Sequence, residues 1–544
     1  MSAIGSTQTV RGADAFNAAG FAYADVRAFG AGHVFTKAAS GGLGESGAPM
    51  FEPSAEGRRG VASASRFMNR EQLADALADS NASLGNSLSG SMVDAIRGEG
   101  VFVIAGQQPG LLGGPMMAML KAVTAVRMAE ELSKRWPVPV LPAFWIASED
   151  HDLGEVNRCW LGGEKVVADH PQLHVAGCTP PVGTVSLEGH RERVVEAARE
   201  RLSGLPGYEE AIEKIGSLNY ENYASHFASV ITGLLGEGRV VLVDPMRLRG
   251  LFAGVMAEAV DRWSDLEVAF EEGRGRLQTA GFEPPLSKLT LFEIDSEHGR
   301  RAVPDVSASS GKDVLAAPER YSPSAGLRPI VQDAVLPVAA TVGGPAELLY
   351  LWQVDPLADV LLEKRGGIWP RMSATFVDDK TVSLGARFGL DGLGLLNADP
   401  DESPLGEASL GANSADLDRI AELAGWLDEA IGGLPEHESE KVVKKARESI
   451  AHQAGKAVDR ARQLRLEKQG VGRKRMQRIA DFIRPGGAAQ ERTVSPFDLL
   501  ARMGPGVFDT LLTGGNPFEL LHLMIRSGEA GDAAVAHELK ERIE

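Results

Sequence analysis

Apolar residues run without interruption from 101 to 105. They then give way, across a glycine-, glutamine- and proline-rich stretch from 106 to 115, to apolar positions spaced three and four apart from 116 to 132. The first run predicts a strand covered on both faces and the second an amphipathic helix. The stretch between them reads as a strand-to-helix corner, with Pro115 suited to the first helical position, where a missing N–H costs nothing. A second buried strand is predicted over 137–147, its prolines at the start where a ladder N–H is expendable, and a third over 239–245. Between them, 160–235 weakens into short strands and a helix around 191–202, as an insertion would. A helix is predicted over 248–277 and a strand of open placement over 289–294. Residues 327–332 lead into a strand over 334–342, which meets Gly343-Gly-Pro345 and a helix over 347–352. The strand, glycine-proline corner and helix are thus used twice. A final core strand is predicted over 368–377. Strands alternating with helices imply the α/β class, with a parallel sheet.

Residues 1–60 are rich in glycine, alanine and serine and weakly patterned, and helical spacing begins near Arg70. A loop over 391–415, rich in Gly, Asp, Ser and Pro, marks the clearest boundary. Beyond it Val443, Ile450, Ala457, Leu464 and Val471 recur every seven residues, with Ala454 and Ala461 as a partial second row. That is a coiled-coil pattern, expected as an antiparallel hairpin turning at Gly432-Gly433 and Pro435. The predicted organisation is a core over 1–400, a helical arm over 401–490, and a C-terminal helical segment over 491–544 packing on the core, with Ser495-Pro496 as a helix start.

Length changes this picture little. A chain of 544 residues exceeds what one hydrophobic core usually supports. Its 44% hydrophobic and 24% charged residues are those of an ordinary globular protein. A formal charge of -18 argues against nucleic acid or an anionic membrane as partner of the whole molecule. Cys159 and Cys178 form neither a metal spacing nor a disulfide framework. With no leader pattern and no apolar run long enough for a bilayer, a cytoplasmic protein is expected.

Candidate chemistry gathers at the predicted strand ends. Gly106, Gly110, Gly113 and Gly114 remove Cβ atoms ahead of a helix N-terminus, which suits an anionic or carbonyl-bearing ligand. Glycine and proline alone more often make a tight turn; Gln107 and Gln108 add two amides that shift the reading toward a site. Glu149, Asp150, His151 and Asp152 close the second strand, where open α/β sheets place ligands. With Glu155 on the same helix face as His151 they could ligate a metal; hydrogen bonding of an amine or hydroxyl by the carboxylates, with His151 as proton acceptor, is the better functional reading and stands level with a plain solvated loop. Arg328, Gln332, Glu347, Gly343 and Gly344 flank the second corner, and Arg371 and Ser373 the last strand; arginine can grip a carboxylate or phosphate with two parallel bonds. The basic face of the long helix, including Lys441, Lys444 and Arg447, is read as a solvated coiled-coil surface before it is read as an RNA contact. No Walker loop, spaced dinucleotide fingerprint or nucleophile elbow is present.

The segments Val103-Ile-Ala-Gly-Gln-Gln-Pro-Gly-Leu-Leu-Gly-Gly-Pro115, Phe144-Trp-Ile-Ala-Ser-Glu-Asp-His-Asp152, Leu327-Arg-Pro-Ile-Val-Gln-Asp333, Val342-Gly-Gly-Pro-Ala-Glu347, Pro370-Arg-Met-Ser373 and Gln490-Glu-Arg492 occur in an order that resembles the BshC family, the cysteine ligases of bacillithiol biosynthesis. The resemblance implies a Rossmann-like core akin to class I aminoacyl-tRNA synthetases and nucleotidyltransferases, with insertions and a coiled-coil arm used in a homodimer. It implies an amide-forming ligase that joins L-cysteine to the amine of glucosaminyl malate. ATP or ADP is expected in the core or near the coiled coil, and no metal. The Gly106 corner would then hold an anionic group oriented by Gln107 and Gln108. His151 with Asp152 would handle the amine or its proton, and Arg328 and Arg371 would neutralise malate or phosphate. Two departures bear on pocket shape: Ser322-Pro-Ser324 stands where Ser-Pro-Asn is expected, and Gly281-Phe-Glu-Pro-Pro where a Gly-Tyr segment followed by Gln is usual. The rival readings are an adenylating transferase for another amino acid or acceptor, and a non-catalytic coiled-coil scaffold.

Overall fold

The computed structural model describes residues 9–11, 16–26, 33–54, 61, 66–176, 179–295, 298–399, 473–514 and 516–527, with scattered helical positions between 426 and 456. The chain divides into two units, Met1–Asp378 with Ala488–Glu544, and Asp379–Gly487. In chain order the strands are β1 (Thr9–Arg11), β2 (Phe16–Phe21), β3 (Val101–Gln107), β4 (Val140–Ile146), β5 (Arg158–Leu161), β6 (Glu164–Val167), β7 (Val241–Val243), β8 (Leu291–Asp295), β9 (Gly299–Ala302), β10 (Tyr321–Pro323), β11 (Val338–Gly343), β12 (Gly367–Pro370), β13 (Ser373–Val377) and β14 (His522–Ser527).

The apolar run at 101 becomes the central strand because both of its faces are covered. Val101, Val103 and Ala105 join one hydrophobic core, and Phe102 and Ile104 join another on the opposite face. Around β3 a five-stranded parallel sheet forms in the order β12-β11-β3-β4-β7. The chain leaves β3 through the helix Met117–Ser133, builds outward through β4 and β7, and later adds β11 and β12 on the other side. The order therefore reverses between β3 and β11, which makes their carboxyl ends the topological switch point of a doubly wound sheet.

Several expectations change against this frame. Pro142 lies inside β4, where β7 pairs only with Ala143, Phe144 and Trp145, so the proline occupies a stretch with one hydrogen-bonded neighbour. Residues expected to lead into a strand form the helix Arg328–Val335, with Pro329 in the first turn where its missing N–H is tolerated. The predicted strand over 368–377 is two strands: β12 closes the parallel sheet, while β13 belongs to a second sheet ordered β1-β2-β14-β13. The break falls at Met372: the Arg371 N–H still bonds Gly343 O at the end of the β11–β12 ladder, but the Met372 N–H turns to Thr124 Oγ1. The strand over 291–295 sits in a three-stranded antiparallel sheet between β9 and β10. The segment after 490 supplies the helices Pro496–Met503 and Gly506–Thr513 and also β14, which runs between β2 and β13.

In the second unit the helices Asp379–Ala386 and Gly392–Leu396 pack with Arg473–Ile483, which buries Met476, Ile479, Ala480 and Ile483. Most of the predicted coiled-coil hairpin lies outside the described residues; those described between 441 and 456 are helical. Among the described residues no helix is long and apolar enough to cross a membrane.

Candidate active site at the carboxyl edge of the parallel sheet

The first corner is built by backbone demands before any ligand is considered. Gly113 and Gly114 have φ of 82° and 64°, and Leu112 has φ of 49°, a conformation costly for a side chain-bearing residue. It is held there by its N–H donating to His226 Nε2 at 3.0 Å and its carbonyl accepting from Ser495 Oγ at 3.3 Å. A Cβ on Gly110 would come within 2.8 Å of Gly114 Cα, and one on Gly113 within 2.9 Å of Val230. These three glycines are therefore spent on close packing of chain against chain. The helix they precede begins at Met117, with Pro115 outside it, and the Met116 N–H already donates to Val494 O at 2.8 Å. The open helix N-terminus expected at this corner is covered.

Chemistry lies instead just ahead of it, at the switch point. Lys121, one turn into the helix and 2% exposed, donates to Gly106 O at 2.9 Å and Gln107 Oε1 at 2.5 Å and pairs with Glu347 Oε2 at 2.5 Å. The same Glu347 oxygen accepts the Gly344 N–H at 2.8 Å, so one carboxylate caps the helix Pro345–Gln353 and joins the two corners. Burial pulls the Lys121 ammonium below the usual lysine range, with Glu347 opposing. Burial raises the Glu347 carboxyl, but Lys121 and the Gly344 N–H outweigh it and hold the group below the usual carboxylate range. Arg328 lies 5.6 Å over the Trp145 ring, near Gly106, with Nη1 on Gln332 Oε1 at 3.0 Å and Nη2 on Tyr350 Oη at 3.1 Å. Gln332 passes the network on to Asp333 at 3.0 Å, and burial pushes that carboxyl up to about 7. Two cationic side chains, Lys121 and Arg328, thus meet the Glu347 carboxylate here, with Asp333 next in the network.

The acidic cluster at the end of β4 separates into distinct roles. Glu149 is buried, 2.5 Å from Arg249 Nη1 and 2.9 Å from Ser322 Oγ, so both of its oxygens face protein. Asp150 turns back on its own loop: Oδ1 accepts the N–H of His151 at 2.6 Å and Oδ2 accepts Gln108 Nε2 at 2.7 Å, tying β4 to β3. Asp152 caps the single turn Leu153–Val156 by accepting the Glu155 N–H at 3.2 Å. His151 precedes that turn and does not share a helix face with Glu155, because the cap residue lies outside the helix. Its Nδ1 lies 3.1 Å from Arg300 Nη1 on β9. Among the described residues no group of three or more His, Cys, Asp or Glu side chains is placed to hold a metal.

Arg371 and Ser373 belong to a buried knot beyond β12. Arg371 Nη2 pairs with Glu491 at 2.6 Å, both residues being 1% exposed, and Ser373 Oγ bonds Glu491 at 2.9 Å. His522 spans Ser373 and Thr375 at 2.8 and 2.9 Å; burial brings its imidazole down to about 4. Gly344 links this knot to the switch point, since a Cβ there would meet Glu347 at 3.3 Å and Arg371 Nε at 3.6 Å.

Sequence reasoning thus reached the strand ends but missed Lys121, Arg249, Arg300 and Tyr350, and met Ser322 only as a departure bearing on pocket shape. Lys121 carried a signal, a lone lysine in an otherwise apolar helical turn. The others come from segments about a hundred residues or more from the cluster at 149–151 and have no local signature.

The family model described as "Bacillithiol biosynthesis BshC, N-terminal Rossmann-like domain" matches residues 52–372. The one described as "Bacillithiol biosynthesis BshC, C-terminal coiled-coil domain" matches residues 432–527. Proteins named "Putative cysteine ligase BshC" are similar over long stretches. That of Koribacter versatilis is 28% identical over 81% of this chain and 87% of its own length. That of Solibacter usitatus is 31% identical over 54% and 58%, and that of Geobacillus kaustophilus 25% identical over 85% and 91%. With a Rossmann-like match spanning the whole parallel sheet and its carboxyl edge, the chain belongs to the bacillithiol biosynthesis BshC family.

Proposed function

We propose that the chain is a ligase that joins the carboxyl group of L-cysteine to the amine of glucosaminyl malate, the last step of bacillithiol synthesis, and that the carboxyl edge of the parallel sheet binds both. The carrying observation is the crossing of charge at the switch point, where Lys121, Glu347 and Arg328 gather beside Gly106 and Gln107. Fixed cationic side chains at the place where doubly wound sheets bind ligands suit substrates that both bear carboxylates. Arg328 is the half-buried cation of the set, already braced by Gln332 and Tyr350, and is assigned to a substrate carboxylate. Gln108 and Asp150 brace the adjoining loop that carries His151. A homodimer through the coiled-coil unit and a cytoplasmic location belong to the same reading.

A carboxylate is too poor an electrophile to form an amide unaided, so an activating group is required. ATP is the expected source, yet the glycine corner does not fit its phosphates. Gly110 and Gly113 face protein, and the Met116 and Gly344 N–H groups are taken by Val494 and Glu347. No step is therefore routed through a nucleotide at that corner. The test supplies purified protein with cysteine and glucosaminyl malate, with and without ATP, and follows the amide by mass spectrometry. The expected result is product that depends on both substrates. Folded protein that yields none under any nucleotide condition overturns the ligase reading, and ATP–pyrophosphate exchange with another amino acid would support the adenylating rival.

A further inference from the structure

We propose that Arg300 locks His151 into one neutral tautomer, with the proton on Nε2, so that His151 gives a hydrogen bond to a substrate oxygen and does not take a proton from the incoming amine. The substrate role rests on the ligase reading; the tautomer does not.

The geometry sets the tautomer through what each group can offer. A guanidinium has only donors and keeps its proton in proteins, so the ring nitrogen 3.1 Å from Arg300 Nη1 must present a lone pair. That nitrogen is Nδ1, which leaves the proton of a neutral ring on Nε2. Turning the ring over would set a carbon against the guanidinium and waste a donor. Arg300 itself has little freedom to turn away: Nε bonds Ser322 Oγ at 3.0 Å, Nη2 bonds Pro323 O at 2.8 Å, and the group lies 3.8 Å over the Phe292 ring. The His151 ring packs on the same Phe292, with centroids 5.6 Å apart.

One neighbour competes. Asp150 Oδ1 lies 3.5 Å from His151 Nδ1 and would favour a proton there. That oxygen already accepts the backbone N–H groups of His151 and Asp152, at 2.6 and 3.2 Å, and the other carboxylate oxygen is taken by Gln108. The closer, clamped donor prevails. The charged groups facing the ring are Arg300 from β9 and Asp150 and Asp152 from its own loop. Burial and Arg300 lower its proton affinity, the aspartates raise it, and the net is a lowered value, so the ring stays neutral around pH 7. Nε2 has no protein hydrogen-bond partner among the described residues, and the side chain is 39% exposed. A neutral imidazole N–H in this position serves as a donor to a carboxyl or carbonyl oxygen, holding charge that develops there without transferring the proton.

The test begins with wild-type protein labelled with nitrogen-15 in its histidine rings, with His151 assigned by its loss in His151→Gln. The expected spectrum shows Nδ1 unprotonated and Nε2 protonated at pH 7 to 8, where a ring of lowered proton affinity is neutral. An Nδ1–H tautomer, or an even mixture, overturns the proposal whether or not the protein proves to be a ligase. In the amide assay, His151→Gln keeps an N–H near the Nε2 position and is expected within about tenfold of wild type, while His151→Ala loses roughly 10²- to 10³-fold, as for loss of one oxyanion donor. If His151 were a base, glutamine would be as inactive as alanine, which equally overturns the proposal. Arg300→Met is expected to admit the second tautomer and move the His151 titration up toward that of an ordinary histidine; an unchanged tautomer removes Arg300 from the account. Should that variant not fold, the wild-type spectrum and the glutamine variant still decide.

Discussion

Lys121 is a charge placed where its helix is otherwise apolar, and its three oxygen partners come from both corners of the switch point, two from the end of β3 and one from Glu347. Lys121→Met keeps the stem and removes the ammonium, leaving Gly106 O and Gln107 Oε1 without that donor and Glu347 without its cation. Breaking a buried pair from one side costs about 3 to 5 kcal/mol, and urea unfolding should show a loss of that order. Adding Glu347→Leu should restore part of it, because the orphaned carboxylate goes too, and a double variant as unstable as the sum would disprove the coupling. At this scale the sequence was half readable. The cluster at 149–152 announced itself by composition and position, but its electrostatics depend on Arg249 and Arg300, distant in the chain and without periodicity to betray them. That is why four neighbouring polar residues looked alike as a string and differ in the fold: Glu149 is enclosed, Asp150 braces, Asp152 caps and only His151 keeps an unpartnered ring nitrogen.

At the scale of elements, the two glycine-proline corners were legible because glycine, proline and apolar periodicity are local signals. What they are for was not. The first corner's glycines answer to Val230, Gly114 and Pro496, contacts that no window of sequence contains. Gly113→Ala should therefore cost more than backbone strain alone, about 2 to 4 kcal/mol from left-handed φ plus overpacking. Gly163→Ala is the matched control, with φ of 87° and nothing within 4 Å of the added Cβ, and should cost only about 1 to 2 kcal/mol. Equal losses in thermal or urea unfolding would mean that packing around Gly113 adjusts freely. The strand over 368–377 was misread for a related reason. Apolar residues flank the junction on both sides, and what divides them is the turn of the Met372 N–H to Thr124, with Arg371 held by Glu491 from far downstream.

For the molecule as a whole, acid stability is set by opposed buried groups. His226 and His522 are both brought down to about 4, so each favours folding above pH 6.5 and loses that contribution as pH falls from 6.5 toward 4. Asp333 is pushed up to about 7 and Asp355 to about 6; each works the other way, with stability present at low pH and lost as pH rises from the ordinary aspartate range through those values. Between pH 5 and 7 the two sets offset each other. Asp333→Asn removes one of them, and on going from pH 7 to pH 5 this variant should lose about 2 kcal/mol more stability than wild type. A parallel pH dependence of the two proteins would contradict a raised Asp333.

The placement of β14 between β2 and β13 also bears on how the protein is made. Arg371 emerges from the ribosome 120 residues before the carboxylate that neutralises it, and β2 and β13 wait longer still for the strand that joins them. The parallel sheet has all five strands once β12 has been synthesised, but the second sheet closes only after the helical unit has been made and β14 has followed. Nascent chains therefore carry a buried-type arginine and two strand edges exposed until β14 has been made, the interval in which a chaperone would find them.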